Sequence, residues 1–252
     1  MRRIDWRGFF TTAALLGGFM LGGTSASRAG FVASDWETNS NAYGVSSLAS
    51  FTATGNTLYV TLTNLTPDPK DIADVLTRIQ FTLSNGLTFT PGDTINSVEG
   101  VERTIASNNT FTDSPSSGTK TISNKANWAL QQDGTAFRLT RVGSGVGQVD
   151  HGIIGPPIGT KYTANGSIAG NNPHNPFLYD TATFALNIQG LDNPAVNYAI
   201  TGVTFLYGSG PENPVAGHIT STAIPEPSSV LMGGMALAAL AGFSRARRGR
   251  SA

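Results

Sequence analysis

Between residues 45 and 207 this chain repeatedly alternates apolar and polar side chains with a period of two. Leu58, Val60 and Leu62 alternate with Tyr59, Thr61 and Thr63. Val75, Ile79, Phe81 and Leu83 fall on one side of the next run, with Arg78, Gln80, Thr82 and Ser84 on the other. Phe184, Leu186 and Ile188 alternate with Thr183, Ala185 and Asn187, and Val203, Phe205 and Tyr207 alternate with Thr204 and Leu206. Successive side chains of a strand point to opposite faces, so this pattern builds half-buried strands. Helical periodicity is hard to find in the same region, and each run has the length of one strand.

Turn chemistry separates the runs. Gly55-Asn56 predicts a hairpin of Val45–Thr54 with residues 58–65. Asn85-Gly86, between Leu83 and Leu87, predicts a second, and Asp133-Gly134, between Trp128 and Phe137, a third. Such pairs supply the positive φ angles of tight hairpins. Many short strands with these turns predict an all-β domain over residues 30–207: a single β-sandwich, jelly-roll or immunoglobulin-like. A closed barrel is the competing shape. Residues 108–123, with Phe111 as their one sizeable apolar side chain, read as a loop. Residues 143–175 read as a long connection rich in Gly and Pro, of the kind that is functional or disordered. Residues 208–223, with Pro211, Pro214 and Gly217, read as an extended linker.

Both ends differ from this middle. Arg2, Arg3 and Arg7 precede an apolar run at 9–23, and Ser27-Arg28-Ala29 sets small residues for cleavage between Ala29 and Gly30. Residues 1–29 thus read as a signal peptide, with Ala26 as a second cut. Ile4-Asp5-Trp6 departs from the twin-arginine pattern, which favours ordinary secretion. At the other end, Pro225 and Pro227 fix φ and lack N–H donors, so the chain there is extended and outside any sheet. Residues 230–243 are uncharged, and the segment 228–244 just reaches the roughly 17 residues that a spanning helix needs. Arg245, Arg247, Arg248 and Arg250 follow as a topological stop, since cations stay on the cytoplasmic side.

Pro225-Glu226-Pro227, the apolar run and the terminal arginines together resemble the PEP-CTERM sorting signal over 224–252. Ile224 stands where many members of that family have Val. The resemblance implies an outer-membrane-bearing bacterium, often one that makes exopolysaccharide. It also implies processing near the Pro-Glu-Pro by the membrane enzyme exosortase. A permanent single-span anchor of the same topology is the alternative.

Charge and composition narrow the function of the middle. Residues 30–222 carry fourteen acidic side chains against eight basic ones, which argues against nucleic acid as a partner. The chain has no cysteine, so thiolate metal sites and cysteine catalysis are excluded. His151 beside Asp150, and His174 ahead of Asp180, allow a hydrolase triad to be drawn with one of the many serines. No Gly-x-Ser-x-Gly occurs, and histidines in such loops are expected to be solvated and dispensable. No cofactor is expected beyond a structural calcium. Its oxygen ligands would come from Asp68, Asp71 and Asp74, or from Asn171, Asn172, Asn175 and Asp180. Turn residues have the same composition. Trp36, Tyr43, Trp128, Tyr162 and Tyr179 are the candidate faces for stacking on sugar rings, with Trp128 reading as core.

These features predict an exported, exosortase-processed surface or extracellular-matrix protein with a non-enzymatic structural role. Its partners would be the export machinery, exosortase and, through the C-terminal helix, the membrane. An exopolysaccharide-binding module is the second reading and a secreted hydrolase the third.

Overall fold

The computed structural model describes residues 30–40, 44–142, 149–210 and 214–222. Strands dominate them: β1 (Phe31–Val32), β2 (Ser34–Ser40), β3 (Val45–Thr54), β4 (Thr57–Asn64), β5 (Leu76–Leu83), β6 (Thr94–Ile105), β7 (Phe111–Ser114), β8 (Lys120–Thr121), β9 (Ala129–Asp133), β10 (Ala136–Thr140), β11 (Ile153–Ile154), β12 (Phe177–Asn187), β13 (Tyr198–Tyr207), β14 (Pro214–Ala216) and β15 (His218–Thr222). Helical turns among the described residues are confined to Ile72–Asp74 and Ser123–Asn127. The fold is all-β.

Two of the three expected hairpins form. β3 and β4 pair up to Thr54 opposite Thr57, so Gly55-Asn56 is the turn, with Gly55 at φ 57°. β9 and β10 pair up to Asp133 opposite Ala136, which makes Gly134-Thr135 the loop, one residue later than the sequence suggested. Asn85 and Gly86 do adopt positive φ, at 58° and 72°. The chain beyond them does not return along β5, however, because β13 occupies one edge of β5 and β10 with β11 the other.

Two arrays of strands result. The first runs β15-β2-β3-β4-β12, with β6 on the far edge of β12 and β7 and β8 beyond it. The second runs β9-β10-β5-β13, with β1 and β14 on the outer edge of β13. The short strand β11 joins them, pairing Ile153 with Leu178 of β12 and with Leu76 of β5. The expected pair of discrete sheets is therefore one continuous, barrel-like hydrogen-bonded network.

The alternating residues fill the space between the arrays. Phe51 of β3 meets Phe81 of β5 with ring centroids 5.4 Å apart, Phe81 stacks on Phe137 at 5.3 Å, and Trp128 packs on Phe184 at 4.8 Å. Each such side chain contributes about 1.5–3 kcal/mol when fully buried. Tyr207 hydrogen-bonds Ser47 across this core at 2.7 Å, and burial pushes its phenol pKa upward despite that bond.

Three segments depart from the sequence expectation. Phe111–Ser114 and Lys120–Thr121, placed in a loop, add to the edge of β6. Part of the long connection is packed core: Ile154, Tyr162, Ala164 and Ile168 gather with Val75, Ile105 and Phe177 in a second apolar cluster. In the stretch read as a linker, β14 pairs with β13 and β15 with β2. Pro214 is tolerated there because an edge strand does not need every N–H.

Asn64 ties β4 to β11 from a fully buried position. Its Nδ2 donates to the Asp74 carbonyl at 2.9 Å and the Ile153 carbonyl at 2.8 Å, and its Oδ1 accepts from the Thr66 N–H at 3.0 Å. Asn64→Ala leaves these backbone groups without that partner, at about 1–3 kcal/mol for each one that stays unsatisfied. Urea denaturation of the full chain in detergent is expected to show a loss of about 3 kcal/mol or more. A loss under about 0.5 kcal/mol, the range of a surface substitution, would remove this role for Asn64.

Candidate functional site

Strand β6 carries a charged cluster on each face. Glu102 and Arg103 are neighbours, so their side chains point opposite ways.

Arg103 is 2% exposed. Asp113 lies directly across from it on β7, and the two make a paired contact, Nε to Oδ1 at 2.6 Å and Nη2 to Oδ2 at 2.7 Å. Nη1 donates to the Tyr162 hydroxyl at 3.0 Å, which itself donates to the Gly155 carbonyl at 2.9 Å. The guanidinium carbon lies 3.7 Å from the ring centre of Phe111 and 3.3 Å from that of Tyr179. Such stacking suits the flat, weakly hydrated guanidinium better than an ammonium. Burial alone would lower the Arg103 pKa, but Asp113 and Tyr162 outweigh it and raise it. Burial pushes the Tyr162 phenol up to about 12. Sequence reasoning missed this site because Asp113 lay in an apparent loop.

On the opposite face, His151 sits between two carboxylates. Its Nδ1 is 3.1 Å from Asp150 Oδ2 and its Nε2 is 3.1 Å from Glu102 Oε1. Glu102 also meets the Lys120 ammonium at 2.6 Å, and Lys120 donates to Ser114 Oγ at 3.0 Å. Arg141 holds Asp150 from below, donating to its carboxylate and, at 2.6 Å, to its carbonyl. The turn is fixed further by Trp128 Nε1, which donates to the His151 carbonyl at 2.9 Å. Burial alone would raise the Glu102 pKa, but hydrogen bonds and charge from Lys120 and His151 prevail and hold it below its ordinary value.

This cluster brings His151 and two carboxylates together, and among the described residues no hydrogen bond links the His151 ring to a serine. Both ring nitrogens of His151 face carboxylates. Ser114, the serine hydrogen-bonded in this chain of contacts, faces Lys120, whose ammonium also meets Glu102 at 2.6 Å. His174 lies elsewhere, its Nδ1 within 2.6 Å of the Ser167 carbonyl. The expectation of solvated histidines is corrected for His151, whose side chain is 13% exposed and holds φ at 60°.

Four of the calcium candidates, Asp68, Asp71, Asp74 and Asn175, are engaged in local hydrogen bonds. Asp68 accepts from the N–H and hydroxyl of Thr163 at 2.8 and 2.5 Å. Asp71 and Asp74 form a reciprocal cap on the Ile72–Asp74 turn. Asn175 bridges the Ile105 N–H and the carbonyls of Ile168 and Asn171. Among the described residues no three carboxylate or imidazole side chains gather at metal-ligand spacing.

The aromatic candidates are mostly interior. Trp36, Trp128 and Tyr162 are buried and Tyr179 covers Arg103, whereas Tyr59, not singled out for stacking, is 38% exposed. Tyr43 lies outside the described residues. So do Ala29, Pro225, Glu226, Pro227, Arg245, Arg247, Arg248, Arg250 and the expected helix 228–244. Gly30 is described and exposed, its N–H donating to Asn197 Oδ1 at 2.8 Å. Among the described residues no helix is long and apolar enough to cross a membrane. No family model matches the chain, and no curated protein matches it.

His151→Ala removes both ring contacts and is expected to lower stability by about 1–3 kcal/mol in urea denaturation, against under about 0.5 for His174→Ala. Equal, negligible losses would return His151 to the status of a solvated loop residue. Glu102 gives a pH signature. Its depressed pKa stabilises the fold fully above the unfolded value of about 4.3. That contribution is lost as pH falls from there through the lower folded value. Glu102→Gln should therefore flatten the stability profile in this acid window, and an unchanged profile would show that Glu102 does not contribute to it.

Proposed function

We propose that this chain is an exported, exosortase-processed surface or extracellular-matrix protein whose folded part has a non-enzymatic, structural role. The observation that carries this reading is the sequence of three parts in the tail: Pro225-Glu226-Pro227, then an uncharged run just long enough to span, then four arginines. The cationic end would stay in the cytoplasm and set the triplet at the outer face, within reach of a membrane enzyme. The apolar segment at 9–23 supplies the export signal. The folded part suits a passive role, since its charged clusters at Arg103 and His151 serve as internal ties.

A second reading, binding of exopolysaccharide, is favoured by one observation: a strand face rich in hydroxyl groups that also exposes Tyr59.

Mass spectrometry of the protein from its native host tests the first reading. A mature C-terminus near Glu226, lost when Pro225-Glu226-Pro227 is replaced, is the expected result. A protein still ending in Ala252 would refute processing and leave a tethered domain.

A further inference from the structure

We infer that the outward face of β4 and β12 is a docking surface for a neutral, extended polysaccharide chain; this rests on the polysaccharide-binding reading and gives it a site. Thr61 and Thr63 of β4 lie directly opposite Thr183 and Thr181 of β12. Their hydroxyls meet in pairs, Thr61 with Thr183 at 3.1 Å and Thr63 with Thr181 at 3.0 Å. The Thr61–Thr183 pair uses one proton, so its second hydroxyl proton and remaining lone pairs stay available to a ligand; Thr181 also donates to Asp180 Oδ2 at 3.5 Å, so the Thr63–Thr181 pair offers lone pairs. Strand register extends one row sideways: Asp35, Ser50, Thr61, Thr183, Glu99 and Thr121 stand side by side on six adjacent strands. At about 4.8 Å per strand the row is roughly 24 Å long. The rise per sugar in an extended β-linked chain is close to the strand spacing, so successive rings meet successive hydroxyl or carboxylate groups.

Tyr59 supplies the apolar contact. It stands next to Thr61 on the same face, and its partner across β12 is Ala185, too short to cover a phenol ring. A sugar ring can stack on such a face while its hydroxyls reach the threonine row. Charge selects among polymers. The row offers the carboxylates of Asp35 and Glu99 and no Lys or Arg, so it accepts hydrogen bonds from hydroxyl groups and repels acidic chains. The hydroxyl pair on the other array, Thr82 with Thr201 at 2.8 Å, lies outside this face and serves as an internal control.

The test is sedimentation of the full chain in detergent with microcrystalline cellulose, curdlan and dextran as neutral probes and alginate as an acidic one. Expected are binding to cellulose, none to alginate, and affinity about tenfold weaker for Tyr59→Ala and for the double variant Thr61→Val/Thr183→Val, with Thr201→Val unchanged. Tyr59 is exposed, so its variant is expected to fold even if the double variant does not, and thermal melts check both. Binding of the native chain that these variants leave intact, or that Thr201→Val weakens equally, overturns this face while sparing the polysaccharide reading. Failure of the native chain to bind any neutral probe overturns both.

Discussion

Two residues, Ile153 and Ile154, hold the two strand arrays in a single hydrogen-bonded network. Both pair with β12, and Ile153 pairs with β5 on the other side. Such a short strand has little stability of its own, so its neighbours must fix its path. Asn64 grips the Ile153 carbonyl from β4. The backbone at Gly155 comes so close to Thr66 that an added Cβ would lie 2.0 Å from its carbonyl oxygen. His151, set between Asp150 and Glu102, pins the entering turn to β6. The second apolar cluster then seals Ile154 beneath residues 162–168.

Magnitudes separate what stabilises this molecule from what shapes it. Phe51, Phe81, Phe137, Phe184 and Phe205 are all essentially buried, and burial of such rings dominates the favourable side. The Arg103–Asp113 pair is different. Taking a guanidinium out of water costs several kcal/mol, which the paired contact, Tyr162 and two stacked rings offset. Its net contribution is small, but removing Asp113 would leave a buried cation at a cost of about 3–5 kcal/mol. The pair therefore acts chiefly by fixing where β7 and the segment around Tyr162 sit. The same logic applies to Arg141 beneath Asp150.

Local signals carried the strands and failed where partners are distant. The alternation at Leu58, Val60 and Leu62 and the turn at Gly55-Asn56 depend on neighbours in sequence, and both were legible. Asn85-Gly86 also made its turn, but turn chemistry does not say which strand fills the next edge. That edge of β5 belongs to β13, more than a hundred residues on. β7 and β8 show no alternation because they are short and lie at an edge, where one face need not be apolar. His151 looked solvated because its clamp, Glu102, is 49 residues away, and Arg103 meets Tyr162 across 59. The stacking candidates were chosen by ring size, which a core consumes first; exposed Tyr59 was legible only as the polar-phase residue of β4. The residues of the proposed sorting signal, by contrast, are read from composition and order alone.

If β11 makes the domain one cooperative unit, both arrays must open together. Native-state hydrogen exchange of the full chain in detergent measures this directly, at amides in the β5 and β12 ladders. One shared opening free energy, falling equally in both strands on Asn64→Ala, is the expected result. Exchange of β5 at a clearly lower free energy while β12 stays protected would contradict it.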